Sequence, residues 1–407
     1  MLLLDLHKKA EERRAPLRTW ANACPPKQRC QQHQQQEGEE PRGSYCKSEP
    51  QHRWAKRLPV STDDGIIIGY HEDDSLTRSD GCAAEAVLVY LHGLQGLHSL
   101  RALVPGLLRC EIEQAMVKLG LIYDKSYAWD IFSDMMRSQL RYTFPSADLP
   151  QPFTDNTRAI LVDWLIQVHC SYKSQDVFVL RSVQDVFHFS EETLYLSIHL
   201  LNRALRQMKV STSNLQLLGL VCLFLAGKKE ESLLPEVSEL CYLMENSYTK
   251  RQLLRMERRV LCELRFDLSH CPPLHFLLLT ASVARCCTKV VCMARYLLEL
   301  SLLEGQCVVF LPAQLAGASL CLARRVLQEP PTPEGETAWC IASSINMGSE
   351  TTLLKIMHIQ ARAAARAHSR ETRATFIKFS TAETMHVSSH PALQSGPSLL
   401  GLLSEHA

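Results

Sequence analysis

Neither sign of charge dominates this chain: 44 Lys and Arg face 43 Asp and Glu, for a net charge of +1. A dedicated nucleic-acid binder normally carries a basic excess, and an acidic solvating tail would tip the balance the other way, so no nucleic-acid partner is expected. No run of about 18 apolar residues occurs, the length that crosses a bilayer. The best candidate, within 83–109, is broken by Glu85, His92, His98, Arg101 and Arg109, and no membrane partner is expected. The opening Met1-Leu2-Leu3-Leu4-Asp5 lacks the basic start, apolar core and small-residue cleavage site of a signal peptide. Despite 16 cysteines there is no Cys-x-x-Cys pair, which removes zinc-site and thioredoxin-type readings. Cys222, Cys262, Cys292 and Cys321 lie inside apolar helical runs, where free cysteine behaves as a small buried hydrophobe. Without a secretory signal the chain is expected to be intracellular and reduced, in nucleus or cytoplasm. A Gly-rich phosphate loop, metal-ligand spacing and a nucleophile–base pattern are all missing, so no cofactor, metal or catalytic residue is expected and an enzyme is the least favoured class.

Strand signals are nearly absent as well. Residues 1–80 hold a Gln31-Gln32-His33-Gln34-Gln35-Gln36 tract and Glu- and Pro-containing stretches, a composition that cannot bury enough apolar surface to offset chain entropy; they read as a disordered tail. Residues 81–126 are more apolar, with room for one or two short helices in 81–120. From Tyr127 onward apolar residues recur at i, i+3/i+4 and i+7. Helices are expected at Asn156–His169, Glu191–Gln207, Ser213–Gly227, Pro235–Glu245 and, behind a Thr249/Gln252 capping box, to Leu264. Pro272 and Pro273 punctuate, and the pattern restarts with Leu274–Ala284, Val290–Leu303 and Pro312–Leu327. Pro330, Pro331 and Pro333 interrupt it before a last long helix, Glu350–His368. Between Leu215 and Ala226 only Gln216 is polar. A helix apolar all round must be enclosed by others, and a second such helix spans Ala313–Ala323. The fold class is therefore all-α, in two successive helical units at 127–270 and 271–394, with a short tail at 395–407.

The order of blocks carries a family likeness. Thr-Arg-Ala-Ile-Leu-Val-Asp-Trp-Leu (157–165), Glu-Thr-Leu-Tyr-Leu (192–196) and Leu-Gln-Leu-Leu-Gly (215–219) are followed by Lys-Lys-Glu-Glu (228–231) and Ser-Tyr-Thr-Lys-Arg-Gln-Leu-Leu-Arg-Met-Glu (247–257). Five blocks in this order and spacing resemble the cyclin box. Phe-Leu-Pro-Ala-Gln-Leu-Ala (310–316) and Phe-Ile-Lys-Phe-Ser (376–380) are similar to the second fold and tail of B-type, G2/mitotic cyclins, with a divergent or germline member in view. The resemblance implies two tandem five-helix cyclin folds and a non-catalytic role. Such proteins bind a cyclin-dependent kinase beside its αC helix and push its catalytic groups into the active arrangement. By the same likeness Lys228 and Glu257 are the kinase-contacting charged pair. Arg158 is a buried structural Arg whose partner position is Asn202, and Leu217 is a core position. Ile160, Leu161, Trp164, Leu215 and Gln216 match a groove that docks Arg-x-Leu substrate motifs, with Gln167 at the place of an acidic residue that holds the substrate Arg.

Several positions depart from that pattern. Thr157 replaces Met and Gln167 an acid, which weakens substrate docking. Asn202 replaces Asp and leaves Arg158 without an ion pair. Lys229 replaces an aromatic and removes an apolar kinase contact. Cys170–Gln184 adds about 15 residues, and Gln-Asp-Val-Phe occurs at both 175–178 and 184–187; a lengthened interhelical loop or a segment foreign to the working protein would each account for this. The alternative reading is a cyclin-fold interaction module that does not activate a kinase. Arg14, Leu17 and Asn22 match the destruction box of mitotic cyclins, which implies ubiquitin-ligase degradation machinery as a partner. His169, His188 and His199 read as packing or surface residues, Lys229, Glu230 and Glu231 as solvated charges, and Gly227 as a helix C-cap.

Overall fold

The computed structural model describes residues 104–171, 189–244, 247–328, 333–345 and 348–394. The expected disorder of 1–80, the Arg14/Leu17/Asn22 motif, most of the Cys170–Gln184 insertion and the 395–407 tail lie outside the described residues. No strand occurs among the described residues.

Two helices come first among the described residues, α1 (Val104–Lys118) and α2 (Ala128–Ser138). Five helices follow: α3 (Asp155–Ser171), α4 (Glu191–Gln207), α5 (Leu215–Glu230), α6 (Val237–Leu243) and α7 (Lys250–Glu263). Five more make the second unit: α8 (Pro273–Val283), α9 (Thr288–Leu303), α10 (Pro312–Leu327), α11 (Pro333–Ser343) and α12 (Glu350–Arg366). Two small helices close the described chain, α13 (Ala374–Lys378) and α14 (Pro391–Gln394). The described residues are all-helical, with two five-helix sets in tandem as expected.

Each set is built round its third helix. From Leu215 to Gly227 every residue of α5 except Gln216 is buried, and α3, α4 and α7 pack on it. In the second set α10 takes the same place among α8, α9 and α12. Its buried face runs through Ala313, Ala316, Gly317, Ala318 and Ser319, small residues that let neighbouring backbones approach closely. One buried polar bridge links three of these helices: Gln360 on α12 donates to Ser301 on α9 at 3.0 Å and to Ser319 on α10 at 2.7 Å.

Local signals explain most boundaries. Ser190 caps α4 by accepting from the Thr193 amide, with Glu191 and Glu192 facing the positive end of the helix dipole. Thr249 and Gln252 form the expected reciprocal capping box of α7. Pro333 does not interrupt helix but opens α11, the first-turn position where the missing N–H costs nothing; Trp339 on this helix is buried under the Arg324 guanidinium, 4.1 Å from its ring centre. Gly227 is not a C-cap, since α5 continues to Glu230. A Cβ there would meet Leu234 at 2.7 Å and Phe189 at 3.3 Å, so glycine permits close packing at that turn. Among the named cysteines Cys222 and Cys292 are buried, Cys321 is half-buried and Cys262 is exposed, because Cys262 faces away from α5.

Candidate functional site

The last turn of α5 brings Lys228 to the surface, where Lys and Arg complement the negative end of a helix. On α7, Leu253, Met256 and Val260 face the core, and this register sets Glu257 at the edge of the same seam. The Lys228 Nζ lies 2.6 Å from Glu257 Oε1 and 4.3 Å from the centre of the Phe224 ring. The Lys side chain is 43% exposed and the Glu side chain 10%. The pair is thus anchored on one side and open on the other, so its charge is organised and still available to a partner.

Neighbouring groups hold this end of α5 in place. Glu231 is not a solvated charge: it accepts from the Ser190 amide at 2.7 Å, from Ser190 Oγ at 2.9 Å and from Thr193 Oγ1, tying the exit of α5 to the start of α4. Lys229 pairs with Glu230 at 2.8 Å on the exposed face. One feature had no sequence signal. Arg265 and Phe266, just past α7, both adopt left-handed backbone, φ 53 and 56, a conformation costly for bulky residues. They hold Phe266 70% exposed, and Leu233, on the loop leaving α5, is 69% exposed.

Beneath the surface, Arg158 on α3 is buried. Its Nε donates to Asn202 Oδ1 at 2.7 Å and an NH1 proton reaches Leu303 O at 3.5 Å. Burial, helped by the Arg206 charge, lowers its pKa to about 10, so it stays a cation at neutral pH with only neutral hydrogen-bond partners. Leu217 is buried in α5, as expected of a core position.

The six groove residues divide. Leu161, Trp164 and Leu215 are buried, while Ile160, Gln167 and Gln216 are half-buried. The reason is the approach of α3 to α5 at Gly219, where a Cβ would touch Leu161 at 3.1 Å and Trp164 at 3.6 Å. Those large side chains pack into the interhelical seam, and the half-buried three lie at its edge. Gln167 is engaged too, donating to Asp163 Oδ2 at 2.7 Å. Asp163 Oδ1 accepts from the Ala374 amide at 2.8 Å, so the small helix α13 is fastened against α3. Burial raises the Asp163 pKa to about 6, against the pull of those two hydrogen bonds.

A second network at this junction escaped the sequence reading. Lys378 on α13 bonds to Glu299 on α9 and lies 3.5 Å from Glu191 on α4, and Arg295 lies 2.7 Å from the same Glu191. Burial works against the Lys378 charge, but the two carboxylates prevail and raise its pKa. The histidines are ordinary in role but not exposed. His169 Nε2 meets Ser190 O at 2.9 Å. His199 stacks on His270 with ring centres 4.6 Å apart, and burial lowers its pKa to about 3. His188 lies outside the described residues.

The family model of the cyclin N-terminal domain matches residues 175–269, and that of the cyclin C-terminal domain matches 271–393. The chain belongs to the cyclin family. The first match begins beyond α3, so the likeness of 157–165 rests on that block itself. This cyclin is 32% identical over 273 residues to a G2/mitotic-specific cyclin-B2 of Rana japonica, covering 66% of this chain and 64% of the relative. It is 31% identical to a G2/mitotic-specific cyclin-B of Spisula solidissima, over 66% of this chain and 58% of the relative. With the cyclin-B of Marthasterias glacialis the figure is 35%, over 60% of this chain and 58% of the relative. The chain thus spans about three-fifths of the length of these relatives. Among solved structures, a viral cyclin from herpesvirus saimiri aligns with a TM-score of 0.45 at 17% identity, over 57% of this chain and 97% of that one. The yeast RNA Pol II CTD kinase CTDK-1 complex aligns at 0.41 and 13%, over 58% and 72%. No helix among the described residues is long and apolar enough to cross a membrane.

Proposed function

We propose that this cyclin is a non-catalytic regulatory subunit that binds and activates a cyclin-dependent serine/threonine kinase in G2/M or meiotic control. The observation that carries the reading is the Lys228–Glu257 pair, closed at 2.6 Å yet half open to solvent on its Lys side, at the two positions where the family carries its kinase-contacting charges. A charge pair preformed in the free protein needs no reordering when a partner docks, which lowers the cost of association. Exposed Phe266 and Leu233 supply the apolar component that a specific contact requires. On this reading residues 127–270 form the kinase-binding box and 271–394 the second fold. Arg14, Leu17 and Asn22 expose the chain to ubiquitin-ligase machinery, and the protein works in nucleus or cytoplasm.

The test is recovery of cell-cycle kinases on the immobilised full chain, with histone kinase activity measured on the beads. Charge reversal at Lys228→Glu or Glu257→Lys should reduce both binding and activity at least about tenfold, the effect of losing about 1.4 kcal/mol. Equal binding by wild type and both variants would refute the site. A second reading, an interaction module without kinase activation, is favoured by Lys229, whose ammonium is turned to Glu230 where the family has an aromatic. Binding without activity would select it. Any substrate docking at the α3/α5 seam would rest on Ile160, Gln167 and Gln216, since Leu161, Trp164 and Leu215 are buried.

A further inference from the structure

The outer face of α7 carries an uncompensated positive patch. Lys250, Arg251, Arg255 and Arg258 are all exposed, and they line an open recess of about 560 Å³ with Leu254 among them. Leu254 is itself exposed. Residues 250, 251, 254, 255 and 258 fall on one side of a helix, because three and four residues bring side chains back to the same face. No carboxylate pairs with these four cations among the described residues. The helix has two acids of its own: Glu257 is taken by Lys228, and Glu263 stands at the last residue. Four like charges within about 12 Å of helix repel one another in a chain whose net charge is only +1.

The same chain holds a matching segment. Residues 63–74 read Asp63-Asp64-Gly65-Ile66-Ile67-Ile68-Gly69-Tyr70-His71-Glu72-Asp73-Asp74, with no Lys or Arg anywhere from 58 to 77. It has acid, apolar and acid blocks where the face of α7 has basic, apolar and basic ones. We propose that residues 63–74 dock on this face of α7, the carboxylates on the four cations and the isoleucines on Leu254. The tether allows it: the 30 residues from Asp74 to Val104 reach about 100 Å at 3.3–3.6 Å each, several times the radius of about 19 Å expected for a folded body of this size. Such a tether keeps the segment at roughly millimolar effective concentration, enough for a weak charged contact to be mostly formed. A nucleic acid fits less well. Phosphate backbones are tracked by extended basic grooves, whereas here the cations occupy one helix and flank an apolar side chain. The proposal does not depend on a kinase binding at Lys228 and Glu257.

The test is zero-length carbodiimide coupling on the full chain, with peptide mapping of the monomeric fraction. Lys250 is expected to couple to the carboxylates of 63–74. Coupling should drop roughly fivefold in about 0.5 M salt, where screening is strong, and as far in Arg251→Gln/Arg255→Gln/Arg258→Gln, whose surface changes leave the core intact. In a parallel measurement, acylation of the Lys250 amine should speed up when Asp63, Asp64, Asp73 and Asp74 become Asn and Glu72 becomes Gln. No coupling to 63–74, coupling unchanged by salt and by the Arg variant, or coupling confined to a dimeric fraction would overturn the proposal. So would protection of Lys250 by a single-stranded oligonucleotide that the acidic segment does not oppose.

Discussion

Two buried cations in this molecule are held in opposite ways. Lys378, where α13 meets α9 and α4, has Glu299 bonded to it and Glu191 at 3.5 Å. Arg158, where α3 meets α4 and the end of α9, has the amide oxygen of Asn202 at 2.7 Å and a carbonyl at 3.5 Å. The first is compensated by carboxylates in contact with it, the second by dipoles in contact and by the Asp155 and Glu304 charges only from a distance. Its counterpart in sign is Asp163, a buried carboxylate whose hydrogen bonds come from the Ala374 amide and the Gln167 side chain. The chain thus fastens its junction with one full ionic network and two half-compensated charges, both on α3. A buried charge with no opposite charge in contact depends on how well its dipoles are held in place, so α3 should be the weaker member of the junction and α13–α9 the firm one.

The largest expected effect comes from breaking the firm side. Lys378→Ala would leave Glu299, 1% exposed, as a buried carboxylate with its cation gone. Removing one partner of a buried pair costs about 3–5 kcal/mol, to be read as a shift of the urea midpoint. A loss under about 1 kcal/mol, the worth of a surface pair, would show that water reaches Glu299 and that the contrast with Arg158 is unreal.

Asp163 sharpens the comparison through pH. Its pKa is about 6 in the folded chain against an ordinary 3.8. The folded state therefore holds a proton that the unfolded state releases, and this contribution to stability is lost as pH rises from about 4 to about 6. The displacement of about two units corresponds to about 2–3 kcal/mol. Buried His199 acts the other way, losing stability as pH falls from 6.5 towards 3, so the two partly mask each other in the wild type. Glu299, whose carboxyl pKa burial also raises, and His270, pushed down by burial, act in both variant and wild type. Asp163→Asn should therefore remove the first contribution only, and the wild type should gain about 2–3 kcal/mol on the variant as pH falls from about 6 to about 4. Urea titrations at intervals between pH 4 and pH 7 measure it, and superimposable slopes for variant and wild type would place Asp163 in contact with solvent.

These charges also mark where the sequence stopped being legible. The periodicity placed α4 at Glu191–Gln207 and α10 at Pro312–Leu327 to the residue, because an acidic first turn and a first-turn proline are local signals acting on their own helices. The helix at Pro333 was missed, since a proline cluster looks the same whether it stops a helix or starts one. Gly227 looks like a cap until Leu234 and Phe189 are seen against it. Lys228 and Glu257 could be paired in advance through family order, as could Arg158 and Asn202. The Glu191–Glu299–Lys378 network could not, for its members sit on three elements far apart in the chain and nothing local to any of them points to the others. Burial at the supposed groove was hidden for a related reason: Leu161 and Trp164 face Gly219 on another helix, and one helix's pattern does not say which apolar side is covered.

The smallest effect, and the sharpest probe of the comparison, is repair of the weak site. Asn202→Asp keeps the shape of the side chain and gives Arg158 a carboxylate at the atom it already touches, 2.7 Å away. A hydrogen bond to a charged partner exceeds a neutral one by about 1–2 kcal/mol, part of which is spent on desolvating the new carboxylate. Since Arg158 is already buried and, with a pKa of about 10, already charged, half of the desolvation cost is present in the wild type. The variant should therefore be stabilised at pH 7 by about 1 kcal/mol. The gain should fade as pH drops below about 4, where an aspartate takes up its proton. A neutral or destabilised variant would mean that Asn202 and the Leu303 carbonyl already solvate Arg158 as well as a carboxylate can, and that the two buried cations differ in chemistry but not in strength.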